Sequence, residues 1–85
     1  MKVLIPGALR SYTRDSPVDA EGESLLAMFA DLERRYPGLR FRVVDEQSRL
    51  RPNMRIFVNG LGVRDLNHAL QPDDAVAIVL ALSGG

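Results

Sequence analysis

Residues 24–38 read SLLAMFADLERRYPG, and their periodicity decides what kind of domain the chain builds. Leu25, Phe29, Leu32 and Tyr36 recur at steps of four, three and four, with Met28 on the same side, as on one face of a 3.6-residue helix. Asp31, Arg34 and Arg35 fall on the other side. Ser24 is a suitable N-cap, Glu21 and Glu23 sit near the positive end of the dipole, and Arg34 and Arg35 occupy the last turn. Pro37-Gly38 stops the helix. Its apolar stripe reads as core packing.

No other stretch carries a clear helical period, so the rest of the fold is expected to be mainly strand and turn. KVLI (residues 2–5) is β-rich and stops at Pro6-Gly7. Residues 8–24, polar and broken by Pro17 and Gly22, suggest a second short strand and an N-terminal hairpin. MRIFVNG (54–60) is a strand with Met54, Ile56 and Val58 on one face and Arg55 and Phe57 on the other. Asn59-Gly60 is a hairpin turn leading to a short strand around Val63-Arg64. DLNHALQPDD (65–74) is a loop or a single helical turn, and AVAIVLAL (75–82) is the last strand. Residues 39–52 fit a short strand or an extra turn of helix equally well. The order β-β-α-β-β-β predicts a two-layer α+β domain over residues 1–85, one helix against a four- or five-stranded sheet.

Composition narrows the function. Eleven basic and eleven acidic residues cancel, so no global field draws the chain to nucleic acid or membrane. No cysteine is present, which excludes side-chain thiol chemistry and disulfides. The apolar run before Pro6 is too short for a signal peptide or membrane span, so the expected location is the cytoplasm. His68, the single histidine, has no cysteine with which to form a nucleophile–base pair or a zinc site, and reads as a surface or turn residue. Asp73-Asp74 reads as a turn rather than a metal site, and no glycine-rich loop opens a helix to hold ATP. An independent enzyme is not expected.

The sequence finishes LALSGG (80–85). A glycine pair adds nothing to a core and loses the most backbone entropy on ordering. Either the pair is an unselected frayed end, or its free carboxylate on Gly85 is expected to do the chemistry.

The element order, IFVNG, VRDL, the DD turn and the closing GG together resemble the ubiquitin-like β-grasp sulfur carriers. That group includes the small subunit of molybdopterin synthase, the thiamin-pathway carrier and the cysteine-biosynthesis carrier. IPGALR, YPGL and the long insert from Asp45 to Leu66 look most like the cysteine branch. Ser83 stands where these carriers commonly have alanine, and no proline precedes the tail.

The resemblance implies a β-grasp fold with a mixed sheet and a flexible diglycine tail. It also implies that a ubiquitin-activating-type enzyme, with ATP and Mg²⁺ bound on that partner and no cofactor on this chain, adenylates Gly85. A sulfur donor then leaves a thiocarboxylate there for a biosynthetic enzyme. The other roles the family allows are the small subunit of molybdopterin synthase and a ubiquitin-like modifier. Gly84 lets the tail thread a narrow channel. Strand alternation points Val76, Ile78 and Leu80 at the helix, leaving Leu4, Phe57, Ala77, Val79 and Ala81 outward as a docking face that Leu82 and Ser83 continue. Arg55 and Arg64 are placed to rim it.

Overall fold

The computed structural model describes residues 1–81. Five strands, β1 (Lys2–Leu4), β2 (Val18–Asp19), β3 (Met54–Val58), β4 (Leu61–Val63) and β5 (Ala75–Leu80), form one sheet in the order β2-β1-β5-β3-β4. The pairing of β1 with β5 is parallel and the other pairings are antiparallel, so the sheet is mixed, as expected. Among the described residues three α-helices accompany it: α1 (Arg10–Thr13), α2 (Leu25–Arg35) and α3 (Leu39–Val43).

The main helix is α2, and its apolar stripe packs on the sheet: Leu25, Met28, Phe29 and Leu32 are fully buried with Val3, Ile56, Val76 and Ile78. Of the N–H groups that a helix start leaves without an internal partner, those of Leu25, Leu26 and Ala27 are satisfied here. Leu25 N–H donates to the His68 carbonyl (3.1 Å) and Leu26 N–H to the Leu66 carbonyl (2.9 Å), while Met28 N–H makes the first bond of the helix itself, to the Ser24 carbonyl (2.9 Å). Ala27 N–H donates to Ser24 Oγ (3.1 Å), the cap expected from the sequence. Residues 65–74 therefore serve α2 as a cap, with Ser24 bridging to Ala69. Close approach also explains Gly22: a Cβ there would lie 2.5 Å from the backbone nitrogen of Met28.

Asp31 corrects the sequence reading. It is buried, with 9% of its surface exposed, where the loop before α2 crosses the helix. Its Oδ2 accepts from Glu21 N–H (2.9 Å) and Arg35 Nε (3.0 Å), and its Oδ1 accepts from Arg34. The Glu21 amide is the main cause that lowers the Asp31 carboxyl below its ordinary range, with Arg34 and Arg35 adding to it against the opposing effect of burial. A depressed folded-state pKa means stability that is present above the unfolded value, about 4, and lost as pH falls through the folded one. Asp31→Asn is expected to cost about 1–3 kcal/mol at neutral pH. Urea titrations should show that difference narrowing as pH falls below about 4; a constant difference would count against an ionised Asp31.

Two other segments depart from expectation. The link from β1 to β2 is helical, a 3₁₀ turn at Gly7–Leu9 followed by α1, although β1 and β2 do pair antiparallel (Lys2↔Asp19, Val3↔Val18). Leu9 and Thr13, four apart, are the residues this link buries. In residues 39–52 the helix prevails: Leu39 and Val43 are buried at a helical step, while Phe41 between them points outward. Glu33 ties α2 to α3 by accepting from Gly38 N–H (2.8 Å) and Arg40 N–H (3.1 Å). The chain then turns at Asp45 and returns through a Val44–Leu50 bridge.

Candidate functional site

On the sheet face away from α2, register aligns the outward residues. Leu4 pairs with Ala77, Ala77 with Phe57 and Phe57 with Gly62, one row across four strands. Val79, beside Arg55, lies one step further along β5. Leu4 is 52% exposed and Val79 40%, whereas Phe57 and Ala77 are half-buried. Phe57 owes its burial to the edge glycine: its ring lies 3.7 Å from where a Gly62 Cβ would be, so the phenyl covers backbone that a side chain would otherwise shield. The inward set Val76 and Ile78 is buried and Leu80 partly so, which is the alternation read from the sequence.

The face is charged at its corner and edge. Lys2 pairs with Asp19 at 2.9 Å between β1 and β2. The Arg55 guanidinium turns back, its Nη1 donating to the Pro52 and Met54 carbonyls (2.7 and 2.9 Å), so it frames the row without covering it. Arg64 is exposed.

The far end of β5 sets the exit of the chain. Beyond Leu80, Ala81 N–H donates to the Asn53 carbonyl at 2.7 Å, so β5 is held against the segment before β3 through its last described residue. Leu82, Ser83, Gly84 and Gly85 lie outside the described residues. The opposite end of β5 is fixed by the Asn59-Gly60 turn, where both residues take positive φ (51° and 84°), as a type I′ hairpin requires. Asn59 accepts from Ala75 N–H and donates to Asp74. Asp74 also accepts from Gln71 N–H, the main cause that holds its carboxyl below the ordinary range. Asp74 thus works in the turn. Among the described residues no group of three or more His, Cys, Asp or Glu is placed to hold a metal ion, and no helix is long and apolar enough to cross a membrane. His68 contributes its backbone to the cap of α2.

One exposed aromatic was not singled out from the sequence. Phe41 is 56% exposed on α3, with the Arg51 guanidinium stacked 4.5 Å from its ring centroid. Only the helical period of α3, unresolved at the level of sequence, would have revealed it.

A family model described as the ThiS family matches residues 3–85. The chain belongs to the ThiS family. The sulfur carrier protein CysO of Mycobacterium tuberculosis (strain ATCC 25618 / H37Rv) is 37% identical over 89 aligned residues, covering 98% of this chain and 96% of the relative. A chain of the Amycolatopsis orientalis BexX/CysO complex superposes with a TM-score of 0.91 at 32% identity, over 99% of this chain and 98% of that one. The small archaeal modifier protein 1 of Methanosarcina acetivorans gives a TM-score of 0.81 at 27% identity, over 99% and 94%. The β-grasp fold and the sulfur-carrier family inferred from IFVNG, VRDL and the closing GG are thereby borne out for this ThiS-family chain.

Proposed function

We propose that this ThiS-family chain carries sulfur as a thiocarboxylate on the carbonyl carbon of Gly85, in a cysteine-pathway-like role. The observation that carries the reading is the family match running through Gly85, joined to near-complete coverage of CysO relatives. The chemistry follows from the carboxylate. Its oxygen attacks the α-phosphate of ATP on an adenylating partner of the ubiquitin-activating type, and pyrophosphate leaves. A donor that supplies sulfide-level sulfur (HS⁻) then attacks the acyl carbon, AMP leaves, and the chain keeps the sulfur as a thiocarboxylate for an accepting biosynthetic enzyme. The Amycolatopsis orientalis relative is solved in complex with BexX, which supports an enzyme partner here. ATP and Mg²⁺ belong to the adenylating partner, and the chain acts as co-substrate rather than catalyst. The test is the intact mass of protein incubated with adenylating enzyme, ATP and sulfur donor. The expected gain is the mass difference between sulfur and oxygen, located by tandem mass spectrometry at Gly85; sulfur found on any other residue defeats the reading.

Leu4, Phe57, Ala77, Val79 and Ala81 serve in this reading as the face on which the adenylating enzyme docks, with Leu82, Ser83 and Gly84 following it into the active site. Phe57→Asp is expected to weaken that association by about 2 kcal/mol or more, as loss of a rigid aromatic anchor does. Far-UV circular dichroism should remain native, because the residue lies outside the buried core. A folded variant that binds normally would place the docking face elsewhere.

A second reading, a protein modifier joined through Gly85 to amines, draws on the likeness to the archaeal modifier. Conjugates bearing a Gly-Gly remnant on lysines of cellular proteins would favour it over the carrier.

A further inference from the structure

At the end of β5 where the chain leaves the sheet, α3 and the segment before β3 enclose a groove of about 350 Å³. Leu9, Met54 and Leu80 give it an apolar floor, and Phe41, Arg42 and Arg51 form its wall. Among the described residues no acidic one lines it. Residues 40–55 hold five arginines against two acids in a chain whose total charge is zero, and two of the five, Arg42 and Arg51, line the groove. One of those acids, Asp45, is already engaged by the backbone N–H groups of Gln47 (2.8 Å) and Arg49 (3.0 Å). Arg51 is pre-oriented, its Nε donating to the Phe41 carbonyl (2.7 Å) while its plane stacks on the Phe41 ring. Among the described residues neither Arg42 nor Arg51 forms an ion pair. An ordered guanidinium beside an exposed aromatic suits a carboxylate next to an apolar side chain.

The position of the groove says which partner meets it. Four residue steps separate Ala81 from Gly85, and four extended residues span at most about 14 Å. An enzyme that holds the Gly85 carbonyl must therefore bring its surface against the rim formed by Leu80 and Asn53, both of which line the groove. We propose that this groove docks an acidic segment, bearing an apolar side chain, of the adenylating enzyme that works on Gly85, a contact separate from the outer sheet face. The inference rests on the tail chemistry proposed above. The guanidinium pair steers and registers the partner while the tail is threaded.

The test pairs binding with turnover. Wild type, Arg42→Glu/Arg51→Glu and Arg42→Lys/Arg51→Lys are compared in ATP–pyrophosphate exchange by the adenylating enzyme, and in calorimetric binding to it with Gly84-Gly85 deleted. The expected result is a KM raised about tenfold or more by charge reversal at low salt, with kcat unchanged and the gap shrinking towards about 0.5 M NaCl. The lysine variant keeps the charge but loses the planar fork and the stack on Phe41, so it should fall between wild type and the reversed pair, and the truncated chain should show the same ranking. Should the reversed pair unfold, Arg42→Glu alone, at an exposed position, gives the same comparison. Binding without any exchange would overturn the tail chemistry and leave the groove standing on its affinity ranking. Exchange with an unchanged KM for the reversed variant, no binding by the wild type, or an Arg42- and Arg51-dependent affinity for an oligonucleotide instead of the enzyme would each overturn the groove proposal.

Discussion

Deleting Gly84 and Gly85 is expected to abolish adenylate formation completely while shifting the melting temperature by no more than about 2 °C, which for a domain this size is under about 0.5 kcal/mol. The chemical half follows from the proposed reaction, since the acyl carbon that is adenylated and then bonded to sulfur is removed with Gly85. The stability half follows from the core, whose buried cluster runs from Val3 to Ile78 with Leu80 packed against it, so the apolar contacts of the described fold are complete before the glycines begin. Differential scanning calorimetry and pyrophosphate exchange on the same preparation separate the two. A large thermal shift would make the glycines structural, and residual exchange would move the reactive carbonyl off Gly85.

Leu32→Ala should give the opposite pattern. Leu32 has no exposed surface and lies in the last turn of α2, within the core cluster. Truncating a fully buried leucine costs about 2–5 kcal/mol against a total stability of about 5–15 kcal/mol. The thermal midpoint should therefore fall by about 8 °C or more. At a temperature where the variant remains folded, exchange should proceed with wild-type KM, because Leu32 packs behind the sheet from the row formed by Leu4, Ala77 and Phe57. Lost exchange in the folded variant would show that the outer face and the helix layer are coupled.

What the sequence determined by itself was whatever depends on local period and local turn chemistry. The steps between Leu25, Phe29 and Leu32 place one helix face in the core, and Ser24 caps it. Alternation along RIFV and AVAIV sorts Ile56, Val58, Val76 and Ile78 inward from Phe57, Ala77 and Val79. Asn59-Gly60 turns the hairpin because both residues tolerate positive φ. The family was likewise legible, through the closing glycines and the resemblance they support.

Only the tertiary structure decided features that depend on partners distant along the chain. Asp31 sits one step off the apolar stripe and looks solvated; it is buried because the Glu21 amide, brought over by the preceding loop, supplies the hydrogen bond that makes a buried carboxylate tolerable. Residues 39–43 alternate like a strand and wind as a helix: a strand would put Leu39, Phe41 and Val43 on one face, whereas the helix buries Leu39 and Val43 and leaves Phe41 out, and Glu33 is positioned to accept from the Gly38 and Arg40 amides. That choice turns Phe41 outward and stacks Arg51 on it. The groove beside the chain exit exists for that reason: α3, Asn53 and the end of β5 meet through pairings between segments tens of residues apart, which no local period encodes.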